Sequence, residues 1–300
     1  MAEEEETVQK EYVYYPGCTL HTWARSLGES AMSGFEALGM PLREMPSWTC
    51  CQAVFPLERD NIIGMIPAAR TLIDAREQGD VLTTLCSFCF NVLRRTNHAI
   101  RSDEITRKRV EAYLETEYAG DFPVLHPLEI LRDHLGWENL RERIQNPLKG
   151  LKVAPYYGCH MIRPPKEMQF DDPENPQIMD RFLDAIGCEV VDYAMKVECC
   201  GSYQTIKGSE PVMNQVRTII RNARNNGAEA LALSCPLCFY NLDNMQEKAL
   251  ENHPDIKPLP VFYFTELLAM AMGIDDGSCD LSCHKVDAHP LLELVEVKFQ

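Results

Sequence analysis

Thirteen cysteines occur in this 300-residue chain, and ten of them form two copies of one spacing pattern. Each copy has a single cysteine, then an adjacent pair, and then a Cys-x-x-Cys sequence. The last four cysteines of the two copies are related by a constant offset of 149 residues, as from Cys51 to Cys200. The first copy comprises Cys18, Cys50, Cys51, Cys86 and Cys89, and the second comprises Cys159, Cys199, Cys200, Cys235 and Cys238. So regular a repeat indicates an internal duplication.

Other residues repeat with the cysteines. Tyr15-Pro16-Gly17-Cys18 is similar to Tyr156-Tyr157-Gly158-Cys159, and the run that begins at Pro123 is similar to the run that begins at Pro260. A turn-like stretch with Pro147 and Gly150 separates the copies. We therefore expect a first domain over residues 12–148 and a second over 149–300, preceded by a disordered acidic tail of residues 1–11.

Short apolar or β-branched runs alternate with helical patterns in both copies. The predicted helices include 24–38 and 62–76, and the predicted strands are 12–15, 42–45, 81–85, 153–157, 189–193 and 230–233. Such alternation predicts parallel sheets. The expected fold is thus two duplicated α/β domains with mainly parallel sheets, related by a pseudo-twofold.

The predicted strands also determine where the cysteines lie. Each cysteine group follows a predicted strand, and open α/β sheets bind their ligands at the carboxyl ends of strands. Both Cys-x-x-Cys sequences open a predicted helix, whose N-terminal dipole favours thiolate over thiol. We therefore expect the five sulfurs of each copy to meet at one edge of a sheet.

Charge and hydropathy exclude several protein classes. The chain has 29 basic and 45 acidic residues, a net charge of −16, which argues against a nucleic-acid partner. No apolar run approaches the roughly 20 residues of a membrane span, and the acidic start does not resemble a signal peptide. These features predict a cytoplasmic protein with no direct membrane span. Cysteines in that compartment more often bind metal or perform redox chemistry than form disulfides.

Ligand number separates the metals that such cysteines could hold. Zinc takes four ligands in a tetrahedron, whereas each copy supplies five cysteines. An iron–sulfur cluster uses one thiolate per iron, and soft thiolates suit it, so five sulfurs favour a cluster with an extra thiolate. Cys188, outside the repeat, is expected to be a buried structural cysteine.

The doubled cysteine pattern resembles the cysteine-rich CCG domain, and two copies in about 300 residues, with Tyr-Pro-Gly-Cys at the start, resemble the B subunit of heterodisulfide reductase. The resemblance covers about residues 12 to 295. It implies that each set of five cysteines binds one non-cubane [4Fe–4S] cluster, and that the two clusters reduce a bound small-molecule disulfide by one-electron steps. The coenzyme M–coenzyme B heterodisulfide is one such substrate.

The resemblance also implies partners. In that family a ferredoxin-like iron–sulfur C subunit carries electrons from a flavin-containing A subunit, an arrangement associated with electron bifurcation. Two other functions stay open. The chain could relay electrons in a complex similar to lactate or glycolate oxidases or to succinate dehydrogenase, or it could be a structural zinc protein that acts as a docking module.

One position departs from the CCG pattern. The second copy reads Cys199-Cys200-Gly201, but the first reads Cys50-Cys51-Gln52. Glycine permits a positive φ that glutamine adopts only at a cost. The side-chain amide of Gln52 could instead face the cluster or the substrate.

A few residues outside the ten cysteines are weaker candidates. His21 and His160 could donate protons to departing thiolates, although a histidine satisfied by the backbone is the more ordinary interpretation. Cys279, Cys283 and His284 form a Cys-x3-Cys-His group beyond both repeats, with the generic spacing of a small metal site or a partner contact. Four basic residues could bind an anionic substrate tail, namely Arg25, Arg163, Lys166 and Lys207.

Overall fold

The computed structural model describes residues 12–53, 62–207, 210–274 and 277–294. The predicted acidic tail lies outside these ranges. Two four-stranded sheets, one in each copy, contain only parallel neighbours. The strands are β1 (Tyr12–Tyr14), β2 (Leu42–Glu44), β3 (Leu82–Thr83), β4 (Val124–Leu125), β5 (Lys152–Pro155), β6 (Glu189–Val190), β7 (Ala230–Leu233) and β8 (Val261–Tyr263).

The two sheets share one topology. Their strand orders are β2-β1-β3-β4 and β6-β5-β7-β8, so each strand of the first copy has a counterpart in the second. The duplicated α/β fold predicted from the cysteine repeat is confirmed. Several strands are shorter than predicted, and β4 and β8 were not predicted as strands, because runs of two or three residues give too little periodicity.

Helices cover both sheets. In the first copy they are α1 (Arg25–Ala37), α2 (Ile62–Arg76), α3 (Ser87–Ser102), α4 (Glu104–Leu114), α5 (Pro127–Ile130) and α6 (Trp137–Arg143). In the second copy they are α7 (Pro165–Met168), α8 (Ile178–Ala185), α9 (Glu210–Asn225), α10 (Pro236–Phe239), α11 (Gln246–Leu250), α12 (Phe264–Ala271) and α13 (His289–Leu294). The predicted helix over 62–76 agrees with α2 over its described length, and both end at Arg76.

Each copy packs a helix against the other copy. Helix α1 lies on α12, where Ser30 Oγ donates a 2.7 Å hydrogen bond to Thr265 Oγ1. A Cβ added at Gly34 would lie 3.1 Å from Leu268 Cδ2, so glycine allows this close approach. Reciprocally, α8 of the second copy packs against α5 and α6 of the first. The two copies therefore share one buried interface.

No helix within the described ranges is both long enough and apolar enough to cross a membrane.

Candidate functional site

The cysteines of the first copy lie at the carboxyl edge of its sheet. Cys18 follows β1, the pair Cys50-Cys51 follows β2, Cys86 is the N-cap of α3, and Cys89 lies in the first turn of that helix. The chain leaves β1 toward β2 on one side and returns to β3 on the other. Open parallel sheets bind ligands at such a change of direction. The topology thus brings all five sulfurs to the predicted edge.

Thiol contacts link these five residues in series. The Cys18 side chain contacts Cys50, which contacts Cys51. The Sγ atoms of Cys51 and Cys89 lie 3.4 Å apart, and Cys89 contacts Cys86. Cys18 and Cys50 are exposed and the other three are buried. The cluster of sulfurs therefore has one end toward solvent and one end in the core.

The second copy repeats this series. Cys159 contacts Cys199, which contacts Cys200. The Sγ atoms of Cys200 and Cys238 again lie 3.4 Å apart, and Cys238 contacts Cys235. Here Cys159 is half-buried, Cys199 is exposed and the remaining three are buried. We call these the first and second cysteine sites.

The five sulfurs of each site contact one another in a chain and do not surround a single point. Among the residues that the structure describes, no group of three or more His, Cys, Asp and Glu side chains is arranged to hold a metal ion. A zinc ion needs four donors around one point. A cluster of several irons, which takes one thiolate per iron, is a better match to sulfurs that are spread in series.

The first cysteine of each adjacent pair has a pKa below the ordinary thiol value. Contact with Cys51 lowers the pKa of Cys50 to about 5, although burial opposes the shift. Contacts with Cys159 and Cys200 lower the pKa of Cys199 to about 2. The backbone N–H of the residue after each pair assists, and that of Gly201 donates to Cys199 Sγ at 3.3 Å. Each site is therefore prepared to hold a thiolate.

Gln52 has the same backbone conformation as the glycine that it replaces. Its φ is 60°, and that of Gly201 is 84°, both in the left-handed region. The N–H of Gln52 stabilises the Cys50 thiolate as the N–H of Gly201 stabilises Cys199. The Gln52 side chain is exposed. The geometry needed by the first site is thus kept at the conformational cost of a non-glycine residue.

The Tyr-x-Gly-Cys sequences hold the cysteine loops together. The hydroxyl of Tyr15 donates a 2.7 Å hydrogen bond to the carbonyl of Thr49, immediately before the first adjacent pair. Tyr156 donates similarly, at 2.6 Å, to Glu198 before the second pair. Each of these tyrosines therefore holds the adjacent cysteine pair close to the single cysteine of the same copy.

Three aromatic rings separate the two sites. Phe88, within the first Cys-x-x-Cys, lies 3.9 Å from the ring of His160, measured between centroids, and Tyr203 contacts both rings. The Tyr203 hydroxyl donates to the carbonyl of Ala53 at 3.1 Å, which joins the loops that follow the two adjacent pairs. Burial lowers the pKa of His160 to about 4, so this imidazole is neutral at pH 7.

A cavity of about 1080 Å³ opens beside these rings. Its wall includes two pairs of residues at equivalent positions in the copies, Ala53 with Ser202 and Phe88 with Leu237, so it lies between the two sites. Trp23 and Tyr240 make an edge-to-face contact in its wall, with ring centroids 5.9 Å apart. The charged residues in the wall are two cations and two anions, Arg25, Lys285, Glu29 and Asp280.

The weaker candidates separate in space. His21 is exposed, stacks on Trp48 and contacts Glu44 Oε1 at 3.0 Å, away from the rings between the sites. Arg25 is the one predicted basic residue in the cavity wall within the described side chains. Arg163 bonds to the carbonyl of Val197, and Lys166 is exposed. The side chain of Lys207 lies outside the described part of the chain.

The predicted group of Cys279, Cys283 and His284 does not lie in one place, because His284 is in the core and Cys283 is at the cavity. His284 is buried, with Nε2 3.2 Å from Glu266 Oε1. Cys283 is exposed and lines the cavity, and Cys279 is partly buried. Sequence reasoning missed Tyr203 and Trp23. Their proximity to Cys200 and Cys18 in the chain was a signal, but an aromatic residue near a ligand is more often part of the core.

Comparisons with known proteins identify the family of this chain. The family model described as CCG, a cysteine-rich domain, matches residues 12–94 and 153–243. The 8-methylmenaquinol:fumarate reductase membrane anchor subunit of Wolinella succinogenes is 30% identical over 287 residues, which cover 95% of this chain and 100% of that protein. The B subunit of the ferredoxin/F(420)H(2)-dependent CoB-CoM heterodisulfide reductase of Methanosarcina acetivorans is 27% identical, covering 86% of this chain and 88% of that protein.

A solved structure shares the fold. The crystal structure of a hypothetical protein from Helicobacter pylori superposes with a TM-score of 0.73 at 16% identity. The match covers 92% of this chain but spans only 52% of that one. The two family-model matches together cover more than half of the chain, and they bracket both cysteine sites. The chain belongs to the CCG cysteine-rich domain family, in a duplicated form shared with relatives named as B subunits of heterodisulfide reductase.

Proposed function

We propose that this chain is the iron–sulfur subunit of a redox complex, and that each cysteine site holds one non-cubane [4Fe–4S] cluster. The observation that carries the proposal is the same series of five contacting thiols in both copies. The proposed ligands are Cys18, Cys50, Cys51, Cys86 and Cys89 for one cluster, and Cys159, Cys199, Cys200, Cys235 and Cys238 for the other.

The donor set fits such a cluster. Thiolates are the soft ligands that iron–sulfur clusters use, and the pKa of Cys50 and that of Cys199 lie below the ordinary thiol range. Glycine also lets a sulfur approach the backbone, since a Cβ at Gly17 would lie 2.8 Å from Cys89 Sγ. A structural zinc ion is a poorer match, because five serial thiols exceed its four ligands.

The chain's own residues would prepare the sites for electron transfer. A bound iron–sulfur cluster accepts and donates one electron at a time. Tyr15 and Tyr156 hold the ligand loops in place, and the N–H groups that follow each adjacent pair stabilise thiolate charge. Phe88 and His160 make a ring contact between the sites, with centroids 3.9 Å apart.

We propose a small disulfide as the substrate and the cavity between the sites as its binding place. Reduction of a disulfide takes two electrons and two protons and yields two thiols. Two one-electron sites beside one cavity suit that stoichiometry. Arg25 and Lys285 supply cations for an anionic end of the substrate, and the aromatic wall suits its apolar part. A relative named for CoB-CoM heterodisulfide reductase supports this substrate class.

We also propose which partners supply electrons to this subunit and where it is located. The partners that supply electrons are a flavin-containing protein and a ferredoxin-like iron–sulfur protein of the same complex, and the location is the cytoplasm. We propose the boundary between the two domains at residues 148–149, shortly before β5 (Lys152–Pro155) begins the second sheet. His160, half-buried and in ring contact with Phe88, is placed better than the exposed His21 to influence the chemistry.

Anaerobic purification with elemental analysis and electron paramagnetic resonance tests the proposal. We expect about eight irons per chain, from two clusters of four. Small disulfides should perturb the spectrum of the reduced protein, and the assembled complex should reduce them. A colourless protein with zinc and no iron would exclude the cluster assignment. If the iron-loaded protein shows no spectral change with small disulfides and the complex does not reduce them, a disulfide is not the substrate.

A second function is electron relay to or from a quinone. The Wolinella relative, named for 8-methylmenaquinol and fumarate, matches over its full length. The two cations of the cavity wall are balanced by Glu29 and Asp280, which suits an uncharged aromatic ligand such as a quinone ring. The test is quenching of tryptophan fluorescence by a short-chain naphthoquinone, with Trp23→Phe as the control. Relay is favoured if the quinone binds and reoxidises the reduced protein while disulfides do neither.

A further inference from the structure

The C-terminal segment, residues 277–294, breaks the symmetry of the two copies. In the first copy, the buried carboxylate of Glu129 pairs with the Arg94 guanidinium at 2.8 Å. The counterpart of Glu129 is Glu266, but the residue equivalent to Arg94 is Asp243. Asp243 instead accepts backbone N–H groups of the C-terminal segment, and His284 of that segment reaches Glu266.

Because His284 of the C-terminal segment takes the place of an arginine as the partner of the buried glutamate, the thiol next to it lies in the wall of the cavity. Cys283, next to His284, is exposed, lines the cavity and has its Sγ 3.7 Å from Ser26 Oγ. Its side chain also interacts with the His284 imidazole. The Nδ1 atom of that ring is buried and makes no hydrogen bond within the described residues. Cys283, His284 and Glu266 therefore form a row from the cavity wall into the core.

The imidazole in the middle of this row is positively charged at neutral pH. Burial lowers the pKa of His284, but Glu266 and Cys283 outweigh burial and raise the pKa to about 10. The thiolate is the nucleophilic form of cysteine, and the Cys283 side chain lies in contact with this imidazole. None of these three residues belongs to the proposed cluster ligands.

We propose that Cys283 is a reactive thiol that captures one half of a small disulfide in the cavity as a mixed disulfide. The inference adopts the substrate class of the proposed function. The Cys283 thiolate forms a bond to one substrate sulfur, and the S–S bond of the substrate breaks. The bonding pair leaves on the second sulfur, which takes a proton from His284 or from water. Oxidation of Cys283 is balanced by reduction of the released thiol.

Restoring the free thiol of Cys283 and releasing the captured half as a second thiol require two electrons and two protons. The electron-donating partner of the proposed complex supplies the electrons, and an added thiol does so in solution. A purely structural role explains the pair of His284 and Glu266, because it replaces the pair of Arg94 and Glu129. That role leaves unexplained a thiol that faces the cavity at position 283.

Mass spectrometry of the anaerobically purified full chain tests the inference. The protein is incubated with bis(2-hydroxyethyl) disulfide at pH 7, and free thiols are then blocked with iodoacetamide and the peptides are mapped. We expect the adduct on Cys283 to form at least ten-fold faster than on Cys279, a partly buried thiol of the same segment. Equal rates at the two thiols, or no adduct on Cys283, would overturn the inference.

Variants separate charge from fold. His284→Gln should lower the rate at Cys283 at least ten-fold, whereas His284→Arg, which recreates the arginine–glutamate pair of the first copy, should keep it within a few-fold. If both variants changed the rate of adduct formation at Cys283 equally, the positive charge at position 284 would not affect the reactivity of the thiol. Iron content reports separately on the proposed function, since Cys283→Ser should retain about eight irons per chain. If the purified protein contains no iron and Cys283 still forms the adduct, the cluster assignment is wrong and the inference about the reactive thiol stands.

Discussion

Ser234 Oγ donates a 2.6 Å hydrogen bond to the carbonyl oxygen of Leu85. The two residues occupy the same position in the two copies, and each immediately precedes the first cysteine of its Cys-x-x-Cys sequence. His126 completes the contact, with Nε2 2.8 Å from Ser234 Oγ. The ends of the two central strands therefore meet, and one short hydrogen-bonded link joins the two cysteine sites.

His126 should make stability depend on pH. Its Nδ1 accepts the N–H of Leu128, so Nε2 carries the proton of the neutral ring. Burial lowers the pKa of His126 to about 3, against about 6.5 in an unfolded chain. The unfolded state therefore binds more protons between these values, and stability falls as pH drops through that window. By pH 5 the loss should be about 2 kcal/mol.

Denaturant unfolding at pH 7 and pH 5 measures this loss. His126→Asn keeps an acceptor for the Leu128 N–H but does not titrate, so its stability should change less over the same interval. The same pH dependence in both proteins would contradict the assignment.

Replacing one ligand in each site should remove iron from that site alone. Cys51→Ser and Cys200→Ser should each lower iron from about eight to about four per chain. Cys188→Ala is the control, because Cys188 is buried outside both sites and should leave the iron content unchanged. Elemental analysis with paramagnetic resonance measures the result. If neither serine variant lost iron, the ligand assignment would be wrong.

The glycines before the single cysteines should differ in their tolerance of a side chain. Gly17 and Gly158 both have positive φ, so alanine costs each about 1 kcal/mol. A Cβ at Gly17 would also lie 2.8 Å from Cys89 Sγ, whereas at Gly158 the distance to Cys238 Sγ is 3.4 Å. We expect Gly17→Ala to reduce iron at the first site more than Gly158→Ala does at the second. Equal losses would mean that sulfur crowding is unimportant.

Asp243 should anchor the C-terminal segment. Its carboxylate accepts the N–H groups of Lys285 and Val286 at 2.7 and 3.2 Å. Asp243→Ala should speed hydrogen exchange of those two amides at least ten-fold. Asp103, which accepts two N–H groups at the start of α4, is the matched control. Asp103→Ala should leave exchange at residues 285 and 286 unchanged, and a similar effect of both variants would point to general destabilisation.

Much of the fold could be predicted from the cysteine repeat and the alternation of short apolar runs with helical patterns. The constant offset from Cys51 to Cys200 indicated duplication, and the strand before each cysteine group indicated the edge where the sulfurs meet. Helix α2 was predicted over its described length, where most of its 15 residues are apolar. Strands β4 and β8 were missed because two or three residues show no reliable alternation.

Spacing along the chain determined which sulfurs share a site, because a parallel sheet converts strand order into neighbours at one edge. It did not determine what lies between the sites. The contact of Phe88 with His160, the link from Ser234 to Leu85 and the docking of His284 on Glu266 join residues that are distant in sequence. Such contacts depend on how two complete surfaces pack together, and only the tertiary structure specifies that packing.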